Sequence, residues 1–183
     1  TYTDRAISYI EEGRKVAPGQ PFFTWLAYTA PHSPLQAPDE YLDKYAGAYD
    51  DGYQALAEAR VARATELGSL SENAVTPTLE PRGVSWDQMA PRERRDQARR
   101  MEIYAAMVEH MDDEIGRFVD YLRSIGQYEN TAFLFMSDNG PAGSLIDLSG
   151  PFAEYIQESF DNSFENYGKI GSYISYGQGL SLI

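Results

Sequence analysis

The sequence predicts an α/β fold with a mostly parallel sheet, on the strength of two short apolar runs and the long amphipathic helix between them. Phe22-Phe23-Thr24-Trp25-Leu26-Ala27-Tyr28 is aromatic-rich and almost uninterrupted, the pattern of a strand buried on both faces. Thr131-Ala132-Phe133-Leu134-Phe135-Met136 repeats that pattern. The order of helix, strand, long helical crossover and strand favours parallel strands.

The first helix is expected to begin near Asp4, capped by Thr3, with Ala6, Ile7 and Ile10 on its apolar face. Pro18-Gly19-Gln20-Pro21 stops it. After the first apolar run, Thr29-Ala30-Pro31-His32-Ser33-Pro34 breaks any regular element. Residues 35–48 read as loop and short helix. Residues 53–67 are rich in helix formers and end before Gly68, with Asp50-Asp51 as N-terminal capping residues. Residues 69–91 are proline-rich and read as a surface excursion.

The clearest helix spans about Pro91 to Ser124. Met101, Tyr104, Ala105, Val108, Met111, Ile115, Phe118, Val119 and Leu122 form its apolar stripe, and Gly126 ends it. Phe152-Ala153-Glu154-Tyr155-Ile156 suits a helical turn. Gly171 to Ile183 suits a strand or extended arm.

A net charge of −13 argues against nucleic acid or an anionic membrane as the main partner, because both attract basic surfaces. The absence of cysteine excludes disulfides and thiolate metal sites. No apolar run is long enough for a transmembrane helix. Oligomeric state and compartment stay open.

Two polar motifs follow the apolar runs. In parallel sheets ligands bind beyond the carboxyl ends of strands, so both motifs are expected at one sheet edge. Asp138-Asn139-Gly140 offers a carboxylate and an amide carbonyl, hard oxygen ligands suited to Ca²⁺ or Mg²⁺, with Gly140 allowing a sharp turn. The same tripeptide is also good turn chemistry, and taken alone it favours a plain turn. His32, between prolines, can donate to an anion or shuttle a proton, or be an ordinary loop histidine. His110 and Asp112-Asp113 read as residues on the face of the long helix.

Five segments in order resemble the sulfatase family, in particular its bacterial arylsulfatases. They are Pro21-Phe22-Phe23 through Ala30-Pro31-His32-Ser33-Pro34-Leu35-Gln36-Ala37-Pro38; Tyr45-Ala46-Gly47-Ala48-Tyr49-Asp50-Asp51-Gly52; Met101 to Val108 with Met111-Asp112; Asn130-Thr131 to Ser137-Asp138-Asn139-Gly140; and Phe160 to Asn166. The resemblance implies an alkaline-phosphatase-like sandwich. It also implies hydrolysis of a small-molecule sulfate ester at a Ca²⁺ site, with a formylglycine nucleophile. Carried over residue by residue, it makes Asp138 and Asn139 metal ligands, and it makes His32 the residue that contacts the sulfate group and assists proton transfer.

This sequence departs from the family pattern in three places. No Cys is present to become formylglycine, and Ser149-Gly150-Pro151-Phe152-Ala153 has Ala where the Ser-x-Pro-x-Arg version needs Arg. No Asp-Asp pair stands at a strand end, and Lys169 lies outside the motif of the family's C-terminal lysine. Residues 1–183 are therefore expected to be an internal part of one sulfatase catalytic domain, lacking the nucleophile region and the C-terminal part, with residues 46–95 as a helical and loop insertion. The isolated chain is expected to be inactive and to hold an incomplete Ca²⁺ site. The compartment stays unknown, the resemblance pointing to bacterial cytoplasm or periplasm. The alternatives are a phosphate or phosphonate monoesterase of the same superfamily, or a non-catalytic derivative kept for binding or structure.

Overall fold

The computed structural model describes residues 1–76, 84–140 and 149–177. Five α-helices carry the described architecture: α1 (Tyr2–Val16), α2 (Asp39–Leu42), α3 (Gly52–Glu66), α4 (Pro91–Ser124) and α5 (Ala153–Ser159). Single 3-10 turns lie at Trp86–Gln88, Tyr128–Asn130 and Phe164–Asn166.

α4 organises the rest. Pro91 occupies its first position, where a missing N–H costs nothing, and the Glu93 carboxylate accepts the Ala90 N–H at 2.8 Å. At its end Gly126 takes φ +69°, which lets the Gln127 N–H reach the Leu122 carbonyl and the Gly126 N–H reach that of Arg123. Gly68 closes α3 in the same way at φ +72°.

α1 lies against α4. Thr3, fully buried, shares a 2.7 Å hydrogen bond with the Tyr28 hydroxyl and donates to the Glu114 carbonyl. Arg117 reaches Asp4 at 2.6 Å. α2 packs beside α4 through Arg99, which donates to the Leu42 carbonyl and to Asp43, and through Lys44 on Glu109. Leu35, Leu42, Tyr53, Met101, Ile103, Met107, Tyr167, Ile174 and Tyr176 form the main core, and Trp86 and Tyr104 pack against it. Each fully buried aliphatic side chain contributes about 1.5–3 kcal/mol, so this cluster decides where the loops can sit.

The expected parallel sheet is overturned. The described residues form no strand; their β contacts are isolated bridges, among them a parallel one between Gln36 and Gly168. Among the described residues, 22–28 and 131–136 form no strand, and most of their large apolar side chains face solvent: Trp25 is 82% exposed and Leu134 82%. A run of apolar residues encodes tolerance of burial, but a strand also needs a neighbour to take its backbone hydrogen bonds, and none of the described residues supplies one. The expectation that His32 and Asp138 share a sheet edge falls with the sheet.

Smaller expectations also change. Thr1, not Thr3, caps α1, since the Thr3 hydroxyl is consumed by Tyr28 and Glu114. Asp51 stands at the cap position of α3 but makes no capping hydrogen bond. The end of the segment read as a surface excursion is partly core, because Met89 is buried and the Trp86 ring meets Tyr53 edge-on at 5.0 Å. Residues 77–83 lie outside the described residues, as does the part of the C-terminal arm from residue 178.

Candidate functional site

His32 stands on a loop that the core holds from below. The His32 N–H closes a turn onto the Thr29 carbonyl at 2.8 Å, and Leu35, three residues on, is fully buried. The imidazole itself is exposed. Its Nδ1 lies 2.7 Å from the Ser33 carbonyl oxygen. A carbonyl only accepts, so Nδ1 carries the proton and Nε2 is left for a ligand: an acceptor in the neutral ring, a donor in the imidazolium.

The loop is tied to the segment that leads to residue 177. The Ser33 N–H donates to the Tyr176 hydroxyl at 2.8 Å, Leu35 N–H to the Ile174 carbonyl at 3.0 Å, and Ala37 N–H to the Gly168 carbonyl at 3.0 Å. The Gln36 side-chain amide adds a 2.7 Å bond to the Ser172 carbonyl. Tyr176 is buried, and its ring meets His32 edge-on at 6.2 Å and Tyr104 of α4 edge-on at 6.1 Å.

Asp138 and Asn139 follow the largely exposed segment 131–136 and are themselves exposed. The Ser137 hydroxyl donates to the Asn139 carbonyl at 2.6 Å, so this is a locally closed turn. Gly140 does not take a positive φ, so the turn does not draw on the conformational freedom that sequence reading assigned to that glycine. Residues 141–148, next along the chain, lie outside the described residues.

Among the described residues no hydrogen bond, ion pair or ring contact joins His32 to Asp138 or Asn139, and no three His, Asp or Glu side chains converge as a metal cage. The chemistry of the donor pair nevertheless fits Ca²⁺: a carboxylate and an amide oxygen, on two exposed residues. They supply two of the roughly six to eight oxygens such an ion takes.

Beneath α4 lies a second polar assembly, which sequence reading missed. Arg100, fully buried, donates to Asp96 at 2.9 Å and to the Ser175 carbonyl at 2.8 Å, with the Tyr167 hydroxyl at 3.3 Å. The Tyr167 hydroxyl in turn donates to Asp96 at 2.7 Å. Burial, with Asp96 as acceptor, pushes Tyr167 up to about 12. Arg100 thus fastens α4 to the residue preceding Tyr176. Only its Asp96 partner is local; sequence gave no signal for the rest, because Tyr167 and Ser175 lie 67 and 75 residues away.

An open depression of about 620 Å³ is lined by Asp43, Asp50, Arg95, Arg99, Glu102 and Glu165, among others. It contains neither His32 nor Asp138, and three of its charged groups are engaged in packing α2 onto α4: Arg99 bridges Asp43 and Glu102, and Glu102 also accepts the Gly47 N–H. His110 lies in α4 with its ring 4.9 Å from that of Tyr41, and the Tyr41 hydroxyl donates to Asp113, so these are contacts of the helix face as expected.

Residues 1–164 match the family model described as Sulfatase. An uncharacterized sulfatase of Schizosaccharomyces pombe is 41% identical over 182 residues, which is 96% of this chain and 32% of that protein. An arylsulfatase of Klebsiella aerogenes is 41% identical over 160 residues, 86% of this chain and 34% of that protein. A multifunctional alkaline phosphatase superfamily protein of Trinickia caryophylli is 30% identical over 166 residues, 87% of this chain and 30% of that protein. The chain spans about a third of the length of these relatives.

Proposed function

The chain belongs to the sulfatase family, and from that premise we propose that it is the part of a sulfate ester hydrolase that carries the sulfate-contacting histidine and two ligands of a Ca²⁺ ion. Residues 1–183 would belong to one catalytic domain, with residues 46–95 as an insertion in it. The observation that carries the reading is the His32 loop. Its imidazole is exposed, its Nδ1–H is committed to the Ser33 carbonyl, and Nε2 is left for a substrate oxygen.

In the S–O cleavage of a sulfate ester, negative charge moves onto the departing alcohol oxygen and the sulfate oxygens. His32 as the imidazolium donates its Nε2–H to one of those oxygens, which stabilises the charge where it develops. The Ser33 carbonyl accepts from Nδ1–H, which orients the ring and leaves Nε2 for the substrate. Asp138 and Asn139 would hold the metal, which supplies Lewis-acid polarisation of a sulfate oxygen when bound. The nucleophile, a formylglycine by family pattern, would come from outside these 183 residues, which contain no Cys and have Ala153 in place of the needed Arg. The chain alone is then inactive and binds Ca²⁺ weakly, and calorimetry giving sub-micromolar affinity for Ca²⁺ would refute that.

The test is turnover of 4-nitrophenyl sulfate by the longer protein carrying this chain, with Asp138→Ala and Asn139→Ala variants. Each is expected to lose about 100-fold in kcat/KM. Unchanged activity in either sinks that residue as a ligand. The 30% identity to a multifunctional alkaline phosphatase superfamily protein keeps a phosphate or phosphonate monoesterase as the second reading. Faster turnover of 4-nitrophenyl phosphate than of the sulfate in the same assay would select it.

A further inference from the structure

We propose that Tyr176 is the positioning residue for His32, setting the direction in which its Nε2 points; the proposal rests on the role given to His32 above. The segment 168–176 meets the loop 33–37 through four hydrogen bonds, and three of them end on backbone carbonyls of Gly168, Ser172 and Ile174. The fourth differs. It ends on a side chain, the Tyr176 hydroxyl, and it takes the N–H of Ser33, the residue directly after the histidine.

Ser33 is held and holds at once. Its N–H belongs to the peptide plane that joins it to His32, so the 2.8 Å bond to Tyr176 fixes that plane. Its carbonyl receives the His32 Nδ1–H at 2.7 Å and so fixes the tautomer and the ring. The Tyr176 ring adds an edge contact on the imidazole at 74° between planes. Tyr176 is itself fixed. It is 9% exposed, its ring is met by Tyr104 of α4, and the preceding Ser175 carbonyl accepts from buried Arg100. An ordered path therefore runs from the long helix through Tyr104 and Tyr176 to Ser33 and His32. The exposed imidazole stands at its end, where a small change in loop position is a large change in where Nε2 can donate.

Removing only the hydroxyl separates this role from packing, because Phe keeps the buried ring and both edge contacts. In the longer protein, Tyr176→Phe is expected to lower kcat about 10-fold with KM changed less than about 2-fold, since loss of position is felt mostly in the transition state. In a His32→Ala background the same substitution is expected to change kcat by less than about 2-fold. A full additional loss in that background, with His32→Ala itself impaired, overturns the proposal and leaves the role of His32 standing. Wild-type kcat for His32→Ala overturns both. A second measurement does not depend on turnover. The 183-residue chain holds two histidines, His32 and His110. The ring ¹⁵N shifts of His32 in the Tyr176→Phe chain are expected to lose their preference for the Nδ1–H tautomer, while those of His110 stay put. Unchanged His32 shifts overturn the proposal.

Discussion

Replacing Arg100 by Met removes a guanidinium that is fully buried and bonded on three sides, while keeping most of the apolar stem that packs in α4. Three acceptors each lose one donor, the Asp96 carboxylate, the Ser175 carbonyl and the Tyr167 hydroxyl, while Asp96 keeps the hydroxyl of Tyr167. Deleting one partner of a buried charged pair costs about 3–5 kcal/mol. Asp96 keeps 23% of its side-chain exposure and regains hydration, which lowers the expected loss to about 2–4 kcal/mol. Against a total stability of about 5–15 kcal/mol, a loss of that size is readily measured. In urea melts followed by far-UV circular dichroism, the midpoint should fall by about 1–2 M at unchanged slope. Arg100→Lys should fall between the two, because an ammonium keeps the charge on Asp96 but not the fork that spans Ser175 and Tyr167. A Met variant as stable as the parent, or a Lys variant weaker than the Met variant, refutes the reasoning.

Three further outcomes follow from the same packing. Tyr167, at about 12 in the folded chain against about 10 unfolded, holds its proton more tightly when folded, so its contribution is complete below pH 10 and is lost as pH rises towards 12; burial raises Tyr53 as well, so alkaline melts should steepen in that window, and a Tyr167→Phe chain with the same slope would contradict this. Gly168→Ala would place a Cβ 2.5 Å from Leu42 and 3.1 Å from Ile103 at φ +86°, and should cost about 2–3 kcal/mol in urea melts, with a neutral result ruling out the tight seat of the loop 33–37 on this segment. The exposed side chains of Phe23, Trp25, Leu134, Phe135 and Met136 should make the chain self-associate at micromolar concentrations, and Phe23→Ser with Phe135→Ser should relieve this; a parent chain that sediments as a clean monomer there contradicts the exposure.

The helices were legible in the sequence because their signals are local. α4 announced itself through a long apolar recurrence, Pro91 at its first position and Gly126 past its last, and Gly68 marked the end of α3 in the same way. Even so, the buried face of α4 differs from the expected stripe. Arg100, Ile103, Ala106 and Met107 are buried while Val108 is 36% exposed, because α2 and the 167–176 segment cover one flank of the helix. The two apolar runs misled because composition records what a segment tolerates, not which neighbour it meets. The His32 loop could be singled out by its prolines and its resemblance. Its supports, Tyr176, Gln36 and Tyr104, could not, because the hydrogen bonds from Ser33 and Gln36 span 143 and 136 residues. For Asp138 and Asn139 the oxygen chemistry was legible but equally suited a turn, the resemblance tipped the reading towards metal ligands, and local geometry adds only that both residues are exposed.

Hydrolysis of 4-nitrophenyl sulfate by the longer protein, measured with and without His32→Ala, tests the central claim most directly. Saturating activity should fall about 100-fold or more in the variant, and activity within about 2-fold of the parent would contradict the assignment of this loop to the sulfate group.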